Sequence, residues 1–322
     1  MTYTQLTEGE RYTISMLRVQ NFSISGIATV LGRHRSTIYR EIARNRCNDG
    51  RYRVDKALSR TRGRRSRSRR NTQYGQNIYT VLDRFIKEKW SPKQICERFS
   101  LDRLLQISHD TIYRYIKKDK QLGGELHRYL RHSRKQMRKG YGSADSRGSL
   151  RNKRPIDERP LGAHNRSRLG HWEIDTVMGG QTKDCIVTLV ERKSGVVLIG
   201  KLKNRTTREL NRVVIRLINS SRYKFKTITA DNGTEFHGYE IIERHAGVKF
   251  YFAAPYHSWE RGSNENMNGL IRQYLPKRQC MAWLTQKGCD KIAEKINNRP
   301  RERFGFWTPL EVHFNKRVAL QN

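Results

Sequence analysis

The chain has few residues of the kinds that would cross-link it or hold it in a membrane. Its five cysteines are odd in number and none are spaced as C-x-x-C, which argues against a zinc knuckle and against a disulfide framework. No apolar run approaches the length that spans a membrane, and the first residues lack a signal-peptide pattern. We therefore expect a protein of the reducing cytoplasm that has no membrane partner.

Acidic residues are also scarce. The 322 residues include 66 Lys and Arg but only 30 Asp and Glu, which gives a formal net charge of +36. Residues 1–160 carry 38 basic and 15 acidic groups (net +23), whereas residues 161–322 carry 28 and 15 (net +13). Because so many cations cannot be paired within the chain, the composition predicts an extended polyanionic partner, such as a nucleic acid.

Three short helices are predicted between residues 7 and 46. Thr7 and Glu10 have the capping-box spacing ahead of the first helix, and Ser23 is placed to cap the second. Gly32 supplies the sharp turn before the third helix, at the spacing of a helix-turn-helix unit. Apolar residues that repeat with the helical period are expected inside: Ile14, Met16, Leu17, Ile24, Ile27, Ala28, Leu31, Ile38 and Ile42.

An ordinary three-helix bundle is the alternative for this region. Basic and polar residues, however, crowd the solvent side of the third helix, which favours DNA reading. These candidate DNA-binding residues are Arg33, His34, Arg35, Thr37, Tyr39, Arg40 and Arg44.

An arginine-rich stretch follows, with six arginines among residues 61–70. A segment of this composition cannot form a core, so we expect a disordered arm in which Arg64, Arg65 and Arg67 neutralise phosphates. The alternative is a solvated linker that contacts nothing.

A second helical unit is predicted after the arginine-rich stretch. Ser91 and Pro92 have the pattern of a helix start, and a further helix is expected over residues 108–117. The sequence T-I-Y-R-E-I at residues 37–42 recurs as T-I-Y-R-Y-I at residues 111–116. This internal repeat favours two helix-turn-helix units and adds Thr111, Tyr113 and Arg114 as candidate DNA contacts. Chance similarity between two buried helix patterns is the alternative.

The remaining residues alternate between strand and helix patterns. Strands are predicted at 172–177, 184–191, 196–202, 227–230 and 248–253, and helices at 207–220, 263–274 and 284–297. This order is typical of a ribonuclease-H-like mixed α/β sheet. The fold class expected for the whole chain is therefore α+β and multidomain, with all-α helix-turn-helix units in front. We divide it into a first helix-turn-helix domain, a basic linker, a second helix-turn-helix unit, a basic connector and a catalytic domain, at residues 1–60, 61–77, 78–120, 121–163 and 164–322.

Three carboxylates in the last domain have the pattern of a metal site. Asp175 lies in one predicted strand, Asp231 directly follows another, and Glu265 begins a predicted helix. Mg²⁺ prefers oxygen ligands, and two such ions can support an in-line displacement at phosphorus. Glu173, Glu235 and Glu260 lie within a few residues of these acids, and the spacing alone does not choose between the two sets. Arg261, Arg272 and Lys277 flank Glu265 and are expected to clamp DNA phosphates.

Four ordered blocks of this chain resemble the DDE transposases of the insertion-sequence-thirty family. They are W-E-I-D at 172–175, T-A-D-N-G at 229–233, the run from Asn264 to Lys277, and N-R-P-R-E-R-F-G-F-W-T-P at 298–309. The resemblance implies that Asp175, Asp231 and Glu265 are both catalytic residues and metal ligands. The family pattern has a tyrosine where this chain has Ser258, which is a departure from it.

The resemblance also implies a function and its partners. The implied enzyme binds the terminal inverted repeats of an insertion sequence, cleaves a strand and transfers it, with two Mg²⁺ per site or Mn²⁺ as substitute. Its partners are double-stranded DNA, both element ends and target, and further copies of the chain in a dimer or larger synapse. It would act at the bacterial nucleoid. Two rival interpretations are a DNA-binding regulator without catalysis and a ribonuclease-H-like nuclease without strand transfer.

Overall fold

The computed structural model describes residues 4–69, 74–131, 153–180, 184–254 and 262–320. These residues form two compact units, Met1–Gln76 and Asn77–Asn322. None of the described helices is both long and apolar enough to cross a membrane.

The first unit is helical. Its elements are α1 (Glu8–Val19), α2 (Ile24–Leu31), α3 (Arg35–Asn45) and α4 (Val54–Arg69). Thr7 and Glu10 form the predicted capping box, Ser23 accepts a hydrogen bond from the Gly26 backbone N–H, and Gly32 adopts a left-handed conformation with φ of 58°. Local capping thus sets the ends of α1 and α2, as the sequence predicted.

A small apolar core lies between these helices. Ile14, Ile27 and Ile38 are fully buried in it, and Ala57 brings the start of α4 into the same core. Met16 was expected in the apolar stripe, but its side chain is 63% exposed. The prediction for Met16 is wrong because Met16 follows Ile14 by two positions. Residues two positions apart in an α-helix point to nearly opposite faces, so Met16 faces solvent when Ile14 faces the core.

Helix α4 corrects the expectation of a disordered arm, which is wrong for residues 61–69. The arginines along it find oxygen partners on neighbouring elements. Arg60 donates to the carbonyl oxygens of Asn45 and Arg46 at 3.0 and 2.7 Å, and Arg62 pairs with Glu8 at 2.8 Å. These contacts and the buried start of the helix offset the repulsion between like charges, which composition alone could not reveal.

The second unit combines helices with one sheet. Its helices are α5 (Gln76–Lys87), α6 (Pro92–Leu101), α7 (His109–Gln121), α8 (Leu161–His164), α9 (Thr207–Ser220), α10 (Tyr239–Ala246), α11 (Gly262–Ile271), α12 (Gln286–Asn297) and α13 (Pro309–Phe314). Its strands are β1 (His171–Met178), β2 (Cys185–Glu191), β3 (Val197–Leu202), β4 (Thr227–Ala230) and β5 (Lys249–Phe252). Ser91 caps α6 with Pro92 in its first turn, as predicted.

The sheet has the strand order β3-β2-β1-β4-β5. β2 is antiparallel to both β1 and β3, whereas β4 runs parallel to both β1 and β5. Side chains alternate between the faces: Trp172 and Ile174 of β1 join a core with α9 and α10, and Val177 joins a second core with α11 and α12. Odd-numbered residues of β1 therefore face α11.

A buried charge cluster holds α6 against residues 311–320. Arg98 donates to both carboxylate oxygens of Glu311 at 2.6 and 2.7 Å, and to Asp102 at 2.7 Å. Arg317 reaches Asp102 at 2.8 Å. Burial by itself would raise the pKa of both carboxyls, but the hydrogen bonds from these arginines and from nearby backbone N–H groups outweigh it, so both pKa values lie below their ordinary range.

Replacing Arg98 with Met should destabilise the second unit by about 3 to 5 kcal/mol, because the buried carboxylate of Glu311 loses its charged partner and Asp102 keeps only Arg317. Urea unfolding at neutral pH measures the change, with Arg84→Met on α5 as the control. The lowered pKa values mean that the cluster stabilises the wild type fully above the ordinary pKa values of 3.8 and 4.5 and loses this effect as pH falls further. The difference between wild type and variant should therefore shrink below pH 4. A difference that is small at neutral pH, or that does not change with pH, would contradict the cluster's role.

Candidate active site

Parallel pairing of β1 with β4 ends shortly before two of the predicted acids. Glu173 is the register partner of Thr229 in this pair. Asp175 lies two residues beyond Glu173 in β1, and Asp231 lies two residues beyond Thr229, directly after β4. Asp175 points to the face of the sheet that α11 covers, because its carboxylate is bonded to Asn268 of that helix.

The two aspartates are held by hydrogen bonds from nearby groups. Asp175 Oδ1 accepts from the Thr176 backbone N–H at 2.9 Å, and its Oδ2 accepts from the Asn268 side-chain amide at 2.8 Å. Asp231 Oδ1 accepts from the Gly233 backbone N–H at 2.9 Å. A Cβ at Gly233 would lie 2.5 Å from Glu235 Oε2 and 2.9 Å from Asp231 Oδ1, so any larger residue here would displace these two carboxylates.

Helix α11 carries the third acid and is fixed to β1 by asparagines. Asn264 donates its side-chain N–H to the Ile174 carbonyl at 3.2 Å, one turn before Asn268 reaches Asp175. Glu265 lies in the first turn of α11 with an exposed side chain. Glu265 and Asn268 are three positions apart and share one side of the helix, so Glu265 stands one turn from the residue that contacts Asp175.

These acids offer the hard oxygen donors that a divalent cation prefers. In the parts of the chain that the structure describes, no three His, Cys, Asp or Glu side chains lie close enough together to hold a metal ion. The structure places Asp175 on β1, Asp231 directly after the neighbouring strand β4 and Glu265 on α11, and it leaves the full ligand set unassembled within the described residues. The donor chemistry fits magnesium.

Two of the competing glutamates have other partners. Glu173 is fully buried; its carboxylate pairs with Arg192 and accepts from the Asn264 backbone N–H at 3.2 Å. Burial lowers the pKa of Arg192, although Glu173 opposes that shift. Glu173 thus anchors the start of α11.

Glu235 is also buried, and its Oε1 accepts from Thr176 Oγ1 and Arg205 Nε, both at 2.8 Å. Its other oxygen, Oε2, has no hydrogen-bond partner in the part of the chain that the structure describes, so Glu235 keeps some capacity to bind a ligand. Glu260 lies outside the described residues.

Sequence reasoning missed Asn264, Asn268 and Arg192. A signal for the asparagines was present, because asparagine is a weak helix former and α11 has three of them, at 264, 266 and 268. Two of these, four positions apart, lie on one helix face. Arg192 had no such signal, since its partner is 19 positions away on another strand.

The structure brings several candidate DNA contacts of the first unit together. A cavity of about 260 Å³ lies between α3 and α4. Five predicted contacts line it: Thr37, Arg40, Arg44, Arg64 and Arg65. Arg35 and Tyr39 are exposed on α3. Two others have structural partners, since Arg33 pairs with Glu10 at 2.7 Å and His34 caps α3. The side chain of Arg67 lies outside the described part of the chain.

The repeated helices α3 and α7 present matching surfaces. Ile38 and Ile112 are fully buried, whereas Tyr39 and Tyr113 are 61% and 46% exposed. Arg40 and Arg114 are exposed beside these tyrosines, and Thr37 and Thr111 are half-buried, which completes the second set of candidates.

The basic residues that follow Glu265 lie beside α11. Arg272 is half-buried and donates to the Met178 carbonyl at 2.8 Å, and burial lowers its pKa. Lys277 is exposed, and both residues line one cavity with Lys89 and Arg128. Arg261 falls outside the described residues.

Comparison with known proteins gives relatives over nearly the whole chain. The profile described as "Helix-turn-helix domain" matches residues 2–45, and that described as "Integrase core domain" matches residues 165–258. The transposase for insertion sequence element IS4351 of Bacteroides fragilis is 39% identical over 98% of this chain and 97% of its own. The transposase InsI for IS30A of Escherichia coli (strain K12) is 37% identical over 98% and 84%, respectively.

The chain belongs to the IS30 family of insertion-sequence transposases. Both the family and the fold class predicted from the sequence are confirmed: a helix-turn-helix domain precedes an integrase core of the ribonuclease H type. Among solved structures, the catalytic core domain of BIV integrase aligns with 45% of this chain and 94% of its own, at 22% identity and a TM-score of 0.35.

In this transposase, Glu173→Gln should leave the buried guanidinium of Arg192 without a charged partner. The expected loss is about 3 to 5 kcal/mol of unfolding free energy, measured by urea denaturation of the full chain. Glu240→Gln on α10 makes the same change at an exposed carboxylate and should cost less than about 0.5 kcal/mol. Equal small losses in the two variants would contradict an anchoring role for Glu173.

Proposed function

We propose that the chain is a divalent-metal-dependent DNA transposase in which Asp175, Asp231 and Glu265 are the catalytic acids. The observation that carries this proposal is the hydrogen bond from Asn268, on the helix that bears Glu265, to Asp175. The parallel pairing of β1 with β4 supports it, because the last paired residues, Glu173 and Thr229, lie two positions before Asp175 and Asp231. Family membership supports the same assignment, because the named relatives are transposases of insertion sequences.

Asp175 and Asp231 would hold the cations, and Glu265 would complete the ligand set. The ions we propose are two Mg²⁺ per site, with Mn²⁺ as a substitute. When bound, such ions activate an attacking oxygen and stabilise the leaving one at phosphorus. Glu265 lies in the first turn of α11, close to the end of the helix where its N–H groups are directed.

The same residues would then support two successive displacement reactions at phosphorus. In the first, a water oxygen attacks the phosphorus at the element end, the bond to the 3′ oxygen breaks, and a 3′-hydroxyl is left. In the second, that hydroxyl attacks a phosphorus of another strand, and one P–O bond forms as another breaks. Asn268 holds Asp175 in place through its amide, and the Glu173 carboxylate keeps α11 against β1.

We propose that the helical parts of the chain recognise the DNA sequence. Residues 1–60 and 78–120 would bind the terminal inverted repeats, and residues 164–322 would carry the chemistry. Joining an end to a target requires two ends to be held together, so we infer a homodimer or a larger synaptic oligomer. The proposed location is the cytoplasm, at the nucleoid.

Asp175→Asn, Asp231→Asn or Glu265→Gln should each abolish cleavage and joining of DNA that carries an element end. The expected loss exceeds the roughly 10- to 100-fold typical of residues that only support a metal ligand. EDTA should have the same effect on the wild type, and Mg²⁺ should reverse it. Gel analysis of cut and joined products measures both steps, with Glu240→Gln as the control variant.

The result separates the three interpretations. Variants that retain every activity of the wild type would point to a regulator without catalysis. Cleavage without joined products in the wild type would point to a plain nuclease. End binding in EDTA should remain near the wild-type value in all three variants.

Arg40→Ala or Arg114→Ala should weaken binding to element ends by about 1 to 3 kcal/mol, the usual effect of losing one base or phosphate contact. Metal-dependent nicking of unrelated DNA should be unchanged. Fluorescence anisotropy with end and unrelated duplexes measures the binding. Arg18→Ala on α1, also an exposed arginine, is the control. If a variant lost end binding and the nicking of unrelated DNA to the same extent, the division into a DNA-binding part and a catalytic part would be contradicted.

A further inference from the structure

A basic cavity of about 440 Å³ lies in the second unit beside α11. Four arginines line it: Arg131, Arg299, Arg301 and Arg303. Ser263, next but one to Glu265, and Tyr113 of α7 also contribute to its wall. We call this the arginine cavity.

Two of these arginines are buried without a carboxylate partner among the described residues. Arg299 is 2% exposed and donates to the side-chain oxygens of Gln94 and Gln273, at 2.9 and 2.6 Å. Arg301 is 9% exposed and donates to the Ile296 carbonyl at 3.0 Å. All three acceptors are neutral, so neither charge is compensated by them.

Burial lowers the pKa of Arg299 to about 10, and burial together with the neighbouring arginines lowers the pKa of Arg301 to about 9. Both remain cationic at neutral pH. Glu302 also lines the cavity, but its carboxylate pairs with Lys93 Nζ at 2.5 Å. Burying cations without an anion is costly, so the cavity has the electrostatics of a site that receives one.

Three other buried arginines of the chain differ from these two. Arg11 pairs with Glu41, Arg98 with Glu311 and Arg192 with Glu173. Arg299 and Arg301 have only neutral acceptors among the described residues, and they lie at a cavity open to a ligand.

A second, independent feature is an unpartnered hydroxyl. Ser263 is 6% exposed, and its Oγ has no hydrogen-bond partner within the described ranges. A buried polar group usually makes a hydrogen bond. A phosphate oxygen in the arginine cavity would supply an acceptor for this hydroxyl.

The cavity follows one face of the helix that carries Glu265. Ser263, Asn266, Met267 and Leu270 line it, and their spacing of three and four residues defines a single stripe. Glu265 and Asn268 form the neighbouring stripe, from which Asn268 contacts Asp175. The basic cavity beside Arg272 and Lys277 shares Leu130 and Arg131 with the arginine cavity, so cationic surface continues along α11.

We propose that the arginine cavity binds backbone phosphates of the DNA strand that is cut, and so fixes that strand along α11 beside the catalytic acids. The ligand is a phosphodiester, recognised by guanidinium groups and the Ser263 hydroxyl without reading base sequence. This proposal rests on the proposed function to the extent that the polyanion is taken to be DNA.

The test uses the full chain with Arg303→Gln and Arg131→Gln, because both arginines are exposed at the cavity rim and can be changed without emptying a core. Arg244→Gln on α10, also exposed, makes the same charge change elsewhere. End-containing duplexes are prepared with single neutral methylphosphonate linkages at successive positions around the cleaved bond. Binding is measured in EDTA at several salt concentrations, and cleavage is measured with Mg²⁺ at saturating DNA.

We expect each rim variant to reduce the slope of log Kd against log salt by about 0.9, the value for one lost phosphate contact. Wild-type cleavage should slow about tenfold or more when one particular linkage is neutral. The same linkage should have no added effect in the rim variant, and Arg244→Gln should retain the wild-type sensitivity. Additive effects of linkage and variant at every position would overturn the proposal.

Two further outcomes separate the phosphate site from the proposed enzyme activity and from binding of a free anion. Reduced salt slopes in EDTA, together with a wild type that never cleaves, would support the phosphate site and reject the proposed enzyme. A second experiment adds inorganic phosphate at fixed ionic strength and measures the Tm of each protein. If it raises the Tm of the wild type but not of the rim variants, and the salt slopes of all variants agree, the cavity holds a free anion and the DNA assignment fails.

Discussion

The candidate active site depends on how α11 is held against β1. Helices of this chain mostly pack through apolar side chains, and α11 does so on the side that bears Met267, Leu270 and Ile271. At its start, however, the contacts are polar: the Glu173 carboxylate accepts from the Asn264 backbone N–H, and Asn264 donates to the Ile174 carbonyl. Such bonds are directional, so they fix the rotation and height of the helix more closely than apolar contact would. The position of Glu265 follows from them.

Local signals in the sequence predicted much of the fold. The predicted helix at 207–220 coincides with α9, and the caps at Thr7, Ser23 and Ser91 were found as predicted, because capping acts within one helical turn. Strand alternation likewise predicted the sheet. These features depend on neighbours in sequence, and a single chain suffices to find them.

Long-range pairing could not be predicted in this way. Nothing in the sequence near Glu173 indicates that it pairs with Arg192, the residue after β2. Nor does the sequence indicate that Asn268 bonds to Asp175, 93 positions away. Only the family resemblance chose Asp175 and Asp231 over Glu173, and that choice stays a prediction; in the structure, Glu173 pairs with Arg192. The predicted disorder of residues 61–69 was wrong because composition records the charge of each arginine and not the oxygens that α1 and α3 offer it.

The buried cluster between α6 and residues 311–320 has a consequence for how the chain is made. Arg98 and Glu311 are 213 positions apart, and at about 5 to 20 residues per second a ribosome needs about 10 to 40 s to synthesise the intervening chain. During that interval the Arg98 guanidinium cannot pair with Glu311, which has not yet been synthesised. The fold of the second unit therefore closes late in synthesis, and a nascent chain that stops short of residue 311 leaves the charged side of α6 open to solvent or to chaperones.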